Sequence, residues 1–144
     1  MFSKTARLIQ LVLLLPMAAF GEDFNLTIKT PMEAGTVGRD VPVFGTAKLG
    51  NDQFLWVLAR DKRFGTLWWP QSEVQVPSSG KWSSTVVLGE PRDVGNKFDV
   101  GVAVFDRAGH EEMKKYWTNA MKTGEWRPIQ IPRPAAIETM TLKK

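Results

Sequence analysis

KFDVGVAVFD, Lys97 to Asp106, decides the fold. Phe98, Val100, Val102 and Val104 fall on one face of an extended chain, because neighbouring side chains of a strand point to opposite sides. The opposite face carries Asp99, Gly101, Ala103 and Phe105, where glycine and alanine leave room for something bulky to lie across a sheet. FLWVLAR, 54–60, repeats the message more strongly: Phe54, Trp56 and Leu58 on one face, Leu55, Val57 and Ala59 on the other. A strand apolar on both faces is covered on both. These two segments therefore predict a sheet with a core on each side.

Working outward, the rest of the chain is cut into short extended segments by turn signals. FNLTIK (24–29), VPVFGTAKL (41–49), TLWWPQSEVQV (66–76), KWSSTVVLG (81–89) and AIETMTL (136–142) join the two segments above. Between them lie TPMEAGTVGRD, Gly50-Asn51-Asp52, DKRFG (61–65), PSSG (77–80) and EPRDVGN, all rich in turn formers. About seven short strands with such spacing predict an all-β fold, an antiparallel β-sandwich. One stretch breaks the pattern. In AGHEEMKKYWTNAMKT, 108–123, Met113, Tyr116, Trp117, Ala120 and Met121 recur at helical spacing. Glu111 and Glu112 suit the first turn, Lys122 the last, and Gly124 the stop. One amphipathic helix is thus expected before the last strand, covering the second face of the sheet.

Thr66-Leu67-Trp68-Trp69-Pro70-Gln71 poses the sharpest local question. Alternation puts Trp68 and Trp69 on opposite faces. One is expected in the sandwich core and the other under or beside the helix; the alternative is an exposed aromatic that binds something. The chain has six tryptophans. Trp56, Trp82 and Trp117 are in phase with apolar neighbours and read as packing, whereas Trp126 stands in a loop at the domain edge.

Residues 1–21 read as a secretory leader: Lys4 and Arg7, then the apolar run LIQLVLLLPMAAF, then Ala19-Phe20-Gly21. The run is broken by Gln10 and Pro16 and is short for a membrane span. The expected mature chain, 22–144, is a single β-sandwich domain with no transmembrane segment, located in the periplasm or secreted. The chain has no cysteine, so an exported domain must rely on packing, which suits a bacterial envelope. Its 19 basic residues, less Lys4 and Arg7, stand against 15 acidic ones, a mature charge of +2. The charges are interspersed, with no basic stripe for nucleic acid.

Ile28-Lys29-Thr30-Pro31, Val43-Phe44-Gly45-Thr46-Ala47, Leu55-Trp56-Val57, Gly80-Lys81-Trp82 and Phe98-Asp99-Val100-Gly101-Val102 together resemble the immunoglobulin-like β-sandwich modules of exported bacterial proteins. The resemblance covers about Asn25 to Asp106, and the helix after Asp106 departs from it. It implies protein or glycan binding, or a spacer role, and no shared catalytic residues.

The chemistry-bearing residues are few. His110 is the only histidine. His110-Glu111-Glu112-Met113-Lys114 begins like a zinc-protease helix, but Lys114 stands where the second histidine is needed. There is no Gly-x-Ser-x-Gly elbow, and neither Glu22-Asp23 nor Glu111-Glu112 has calcium-loop spacing. No enzyme, metal site or cofactor is expected. The expected function is a non-catalytic binding module at the cell envelope, recognising a protein or glycan; the alternative is a small periplasmic inhibitor or immunity-type protein that blocks an enzyme through a loop. Asp61-Lys62-Arg63-Phe64-Gly65 is a charged tip carrying a phenylalanine, and loops at sandwich ends are where such folds bind. Arg63, Phe64, Trp68 and Trp69 are the candidate binding residues.

Overall fold

The computed structural model describes residues 24–31, 39–89 and 95–143. The expected leader, 1–21, lies outside the described residues, as do 32–38 of the first connection and 90–94 of the loop that follows Gly89. In chain order come β1 (Asp40–Thr46), β2 (Phe54–Asp61), a 3-10 turn (Lys62–Phe64), β3 (Trp69–Val74), β4 (Lys81–Val87), β5 (Lys97–Phe105), α1 (Arg107–Thr123) and β6 (Ala136–Lys143). They form two antiparallel sheets, one of β1 and β4, the other in the order β3-β2-β5-β6. Among the described residues no helix is long and apolar enough to cross a membrane.

Among the described residues six strands form, where about seven were expected. The segment 24–29 contributes a single bridge, Lys29 to Phe44. Asn25 has a positive φ of 49°, which interrupts the extended run at its start. Further along, the Thr27 hydroxyl accepts the Thr46 amide at 2.9 Å, so a side chain supplies a bond that a ladder would otherwise make. The segment still lies against β1, with the Thr27 amide donating to the Thr46 carbonyl and the Lys29 and Phe44 backbones exchanging both bonds.

The two-faced reading of β2 and β5 corresponds to three layers. Leu55, Val57 and Ala59 pack with Phe98, Val100, Val102 and Val104 against Val41, Val43, Trp82 and Val86 of the smaller sheet. On the far face Trp56, Leu58, Ala103 and Phe105 pack with Trp68 and with Met113 of α1. β2 is antiparallel to β5 over its whole length, Phe54 opposite Phe105 and Asp61 opposite Phe98, which keeps both faces in phase.

α1 begins at Arg107, capped by the Asp106 carboxylate, which accepts the Gly109 amide at 2.8 Å. Glu111 and Glu112 therefore sit in the second turn rather than the first, and the N-terminal negative charge comes from the cap itself. The helix ends as expected, with Lys122 in the last turn and Gly124 in the left-handed conformation, φ 77°. The apolar stripe is narrower than its spacing suggests. Met113 and Ala120 are buried and Trp117 is half-buried, but Met121 is 62% exposed. Trp117 reaches β3, the edge strand, through its indole.

Candidate functional site

A cleft of about 580 Å³ opens at the β3 edge, where the end of β2, the 3-10 turn and the segment after α1 converge. Asp61, the last residue of β2, is buried and builds the turn. Its carboxylate accepts the Arg63 amide at 2.9 Å and the Arg63 Nε at 3.0 Å. The reversal is completed by Gly65, φ 68°. DKRFG is therefore not a loose solvated loop: the Asp61–Arg63 pair fixes it and presents Phe64 at the cleft rim, 48% exposed.

From Phe64 a chain of rings runs along the cleft. Phe64 meets Trp69 edge-to-face, centroids 5.5 Å apart and planes at 89°. The Trp69 indole donates to the Trp126 carbonyl at 3.0 Å. Trp126 in turn packs edge-to-face on Trp117, at 5.4 Å and 75°, and on Tyr116, at 6.4 Å. Burial raises the Tyr116 phenol above its ordinary pKa, and its hydroxyl donates to the Arg127 carbonyl at 2.7 Å. Such perpendicular contacts place a ring's electropositive edge on its neighbour's electronegative face.

The β2–β3 pairing decides which tryptophan reaches this cleft. Val57 pairs with Ser72 but Leu58 pairs with Pro70, so Gln71 is an extra residue, a bulge. Its side-chain oxygen accepts the Val87 amide of β4 at 2.9 Å, and its backbone carbonyl accepts the Trp117 indole at 3.2 Å. Pro70, which cannot donate to a ladder, sits in the edge strand that tolerates it.

Of the four candidate residues, the structure brings three together: Arg63, Phe64 and Trp69 line the cleft. Trp68 does not join them. It is buried against the helix-side core, its ring over Gly101, where an added Cβ would lie 3.2 Å from the indole. The Arg60 guanidinium covers it at 4.2 Å from the ring centre, and its backbone pairs with Ile129. Trp69 is half-buried, at the cleft and not in the inter-sheet core. Arg39, Gln71, Trp117 and Trp126 also line the cleft and were not among the candidates. For Trp126 there was a signal, a tryptophan in a loop; for Gln71 there was none. A second cleft, of about 640 Å³ near Gln53 and Glu73, carries one aromatic residue among the described ones, Phe54.

Among the described residues two further charged or titratable side chains are buried, His110 and Asp99. His110 stacks on Phe54, centroids 3.8 Å apart and planes within 6°, and its Nδ1 accepts the Trp56 indole N–H at 3.0 Å. Among the described residues no group of three or more His, Cys, Asp or Glu could hold a metal ion. Asp99, opposite Arg60 on β2 and Thr141 on β6, accepts from Arg60 at 2.7 Å and from the Thr141 hydroxyl at 2.7 Å, and Lys62 lies 3.2 Å away. Burial alone would raise its pKa. The hydrogen bonds from Thr141, Arg60 and Lys62, with the Lys62 charge, outweigh that and hold the carboxyl below its ordinary value.

Asp99 thus contributes stability that is complete above the ordinary carboxylate pKa and is lost as pH falls through the lower folded value. Thermal midpoints are expected to decline steeply below about pH 4. Asp99→Asn should flatten that decline while lowering the neutral-pH midpoint. An unchanged acid slope in the variant would remove Asp99 as its source.

No family model matches the chain, and no match is found among curated proteins.

Proposed function

We propose that the chain is a non-catalytic, exported binding module of the immunoglobulin-like type, which recognises a protein or glycan at the bacterial cell envelope through the β3-edge cleft. The observation that carries this reading is the ring chain itself. Phe64 and Trp126, 48% and 43% exposed, border a cleft with Trp69 between them, and large aromatics gathered at a concave surface are the usual anchors of recognition. The sheet order supports the immunoglobulin-like part: 24–29, β1 and β4 on one side, β3, β2, β5 and β6 on the other, with the two inner faces packed together. Export rests on the leader pattern of residues 1–21, and the lack of cysteine suits a bacterial envelope once export is granted.

The inhibitor reading keeps one supporting observation, the turn that holds Phe64 at the surface beside Arg63. Both readings use the same residues, and one experiment separates them from a purely structural role. Tagged 22–144 is used to capture partners from a native envelope extract, beside a Trp69→Ala/Phe64→Ala variant of unchanged circular dichroism. A protein or glycan retained by the parent and lost by the variant supports the cleft. If it is an enzyme whose activity falls on binding, the inhibitor reading takes precedence. Identical retention by parent and variant would sink the cleft as the recognition surface.

A further inference from the structure

We infer that the β3-edge cleft takes a carboxylate-bearing glycan, an inference that rests on the binding-module reading and narrows it. Three observations converge on this ligand class.

Two backbone groups beside the cleft are already used from within the chain. The Val87 amide of β4 is taken by the Gln71 side chain, and the Gln71 carbonyl of β3 by the Trp117 indole. The Trp69 indole is likewise spent on the Trp126 carbonyl. A peptide that adds a strand relies on a continuous run of main-chain bonds at an open edge, and here the β3 edge is interrupted by the bulge at Gln71, whose carbonyl is already bonded. What the cleft offers is side-chain chemistry.

That chemistry is flat and aromatic. Phe64 on Trp69 and Trp126 on Trp117 are edge-to-face pairs, and such a pair engages only one face of one ring. The exposure of Phe64 and Trp126 places open ring surface at the cleft. The face of an aromatic ring is electronegative, which suits the outward C–H bonds of a pyranose.

Among the described residues the charge at the cleft is positive: Arg39 and Arg63 line it, against one carboxylate, Asp61, which is buried and engaged by Arg63. The Arg39 side chain is exposed and forms no ion pair among the described residues. A guanidinium matches a carboxylate in two parallel hydrogen bonds, which neutral sugars cannot provide.

The test is a calorimetric titration of 22–144 with four probes: hexagalacturonate, a muramyl disaccharide, neutral cellohexaose and an oligo-glutamate peptide. The expected result is binding of at least one carboxylated saccharide, with cellohexaose about tenfold weaker or more. Arg39→Ala, an exposed change, should erase that preference, and Trp69→Ala or Phe64→Ala should weaken all saccharides. Which carboxylated probe binds tells a uronate polymer from a wall-derived sugar. Cellohexaose binding as tightly, or a preference that survives Arg39→Ala, overturns the acidic class. Oligo-glutamate binding that depends on Trp69, without saccharide binding, overturns the glycan and leaves a protein-binding module. Silence of all four probes overturns the inference, while the capture experiment above decides the binding-module reading separately.

Discussion

Trp68→Ala is expected to lower the free energy of unfolding by about 3–5 kcal/mol, the range for deleting a fully packed large aromatic side chain. Trp68 is 5% exposed, and the space it leaves cannot refill. On one side lies Gly101, which has no side chain to swing in. On the other lies Arg60, whose guanidinium is tied to Asp99 at 2.7 Å. The backbone bonds between Trp68 and Ile129 remain, so the segment after α1 keeps its hydrogen bonds but loses its seat. Urea denaturation followed by circular dichroism should show a lower midpoint with an unchanged slope. Trp69→Ala, half-buried at the cleft, should cost clearly less. A loss below about 1 kcal/mol for Trp68→Ala would take that residue out of the core.

Gly45→Ala is expected to unseat residues 24–29. A Cβ at position 45 would lie 1.9 Å from the Thr27 carbonyl oxygen and 3.0 Å from the Trp82 ring. Backbone cannot give way by that much without leaving β1. Phe24, Leu26 and Ile28, partly buried against the inter-sheet core, would then be exposed. At about 1 kcal/mol for each half-buried side chain, the cost is roughly 3 kcal/mol. Hydrogen exchange gives the signature: the Thr27, Lys29 and Phe44 amides, bonded across this contact, should lose protection while β2 and β5 keep theirs. Retained protection at Phe44 would mean that the segment accommodates the methyl group in place.

These two positions mark what could and could not be read from the amino-acid order. The layers were legible because Leu55 to Ala59 and Phe98 to Phe105 are apolar on alternate and on both faces, a signal carried by several residues at once. The helix was legible for the same reason, together with Lys122 and Gly124 at its end. The fate of Trp68 and Trp69 was not. Counting back by twos from Val74, which faces the inter-sheet core, puts Trp68 on that face and Trp69 on the helix side. The extra residue Gln71 inverts the phase, so Trp69 pairs with Ala59 and Trp68 goes under the helix layer. A single inserted residue leaves no periodic trace. The cleft was legible only in fragments, because Arg39, Gln71 and Trp126 are distant in the chain and meet only through the sheet order. The burial of His110 against Phe54 and Trp56 was not legible either, because it follows from β2 lying beneath the first turn of α1.

Gln71 bonds through its side chain to β4 and through its carbonyl to α1, one residue holding elements from all three layers. The spacing of the cleft walls is therefore set by the folded chain and not by whatever enters. A preorganised cavity of this kind spends little binding energy on ordering its own loops. Losing the Gln71 side chain should then leave every ring of the cleft in place chemically, yet make the cavity adaptable, trading selectivity among ligands for breadth.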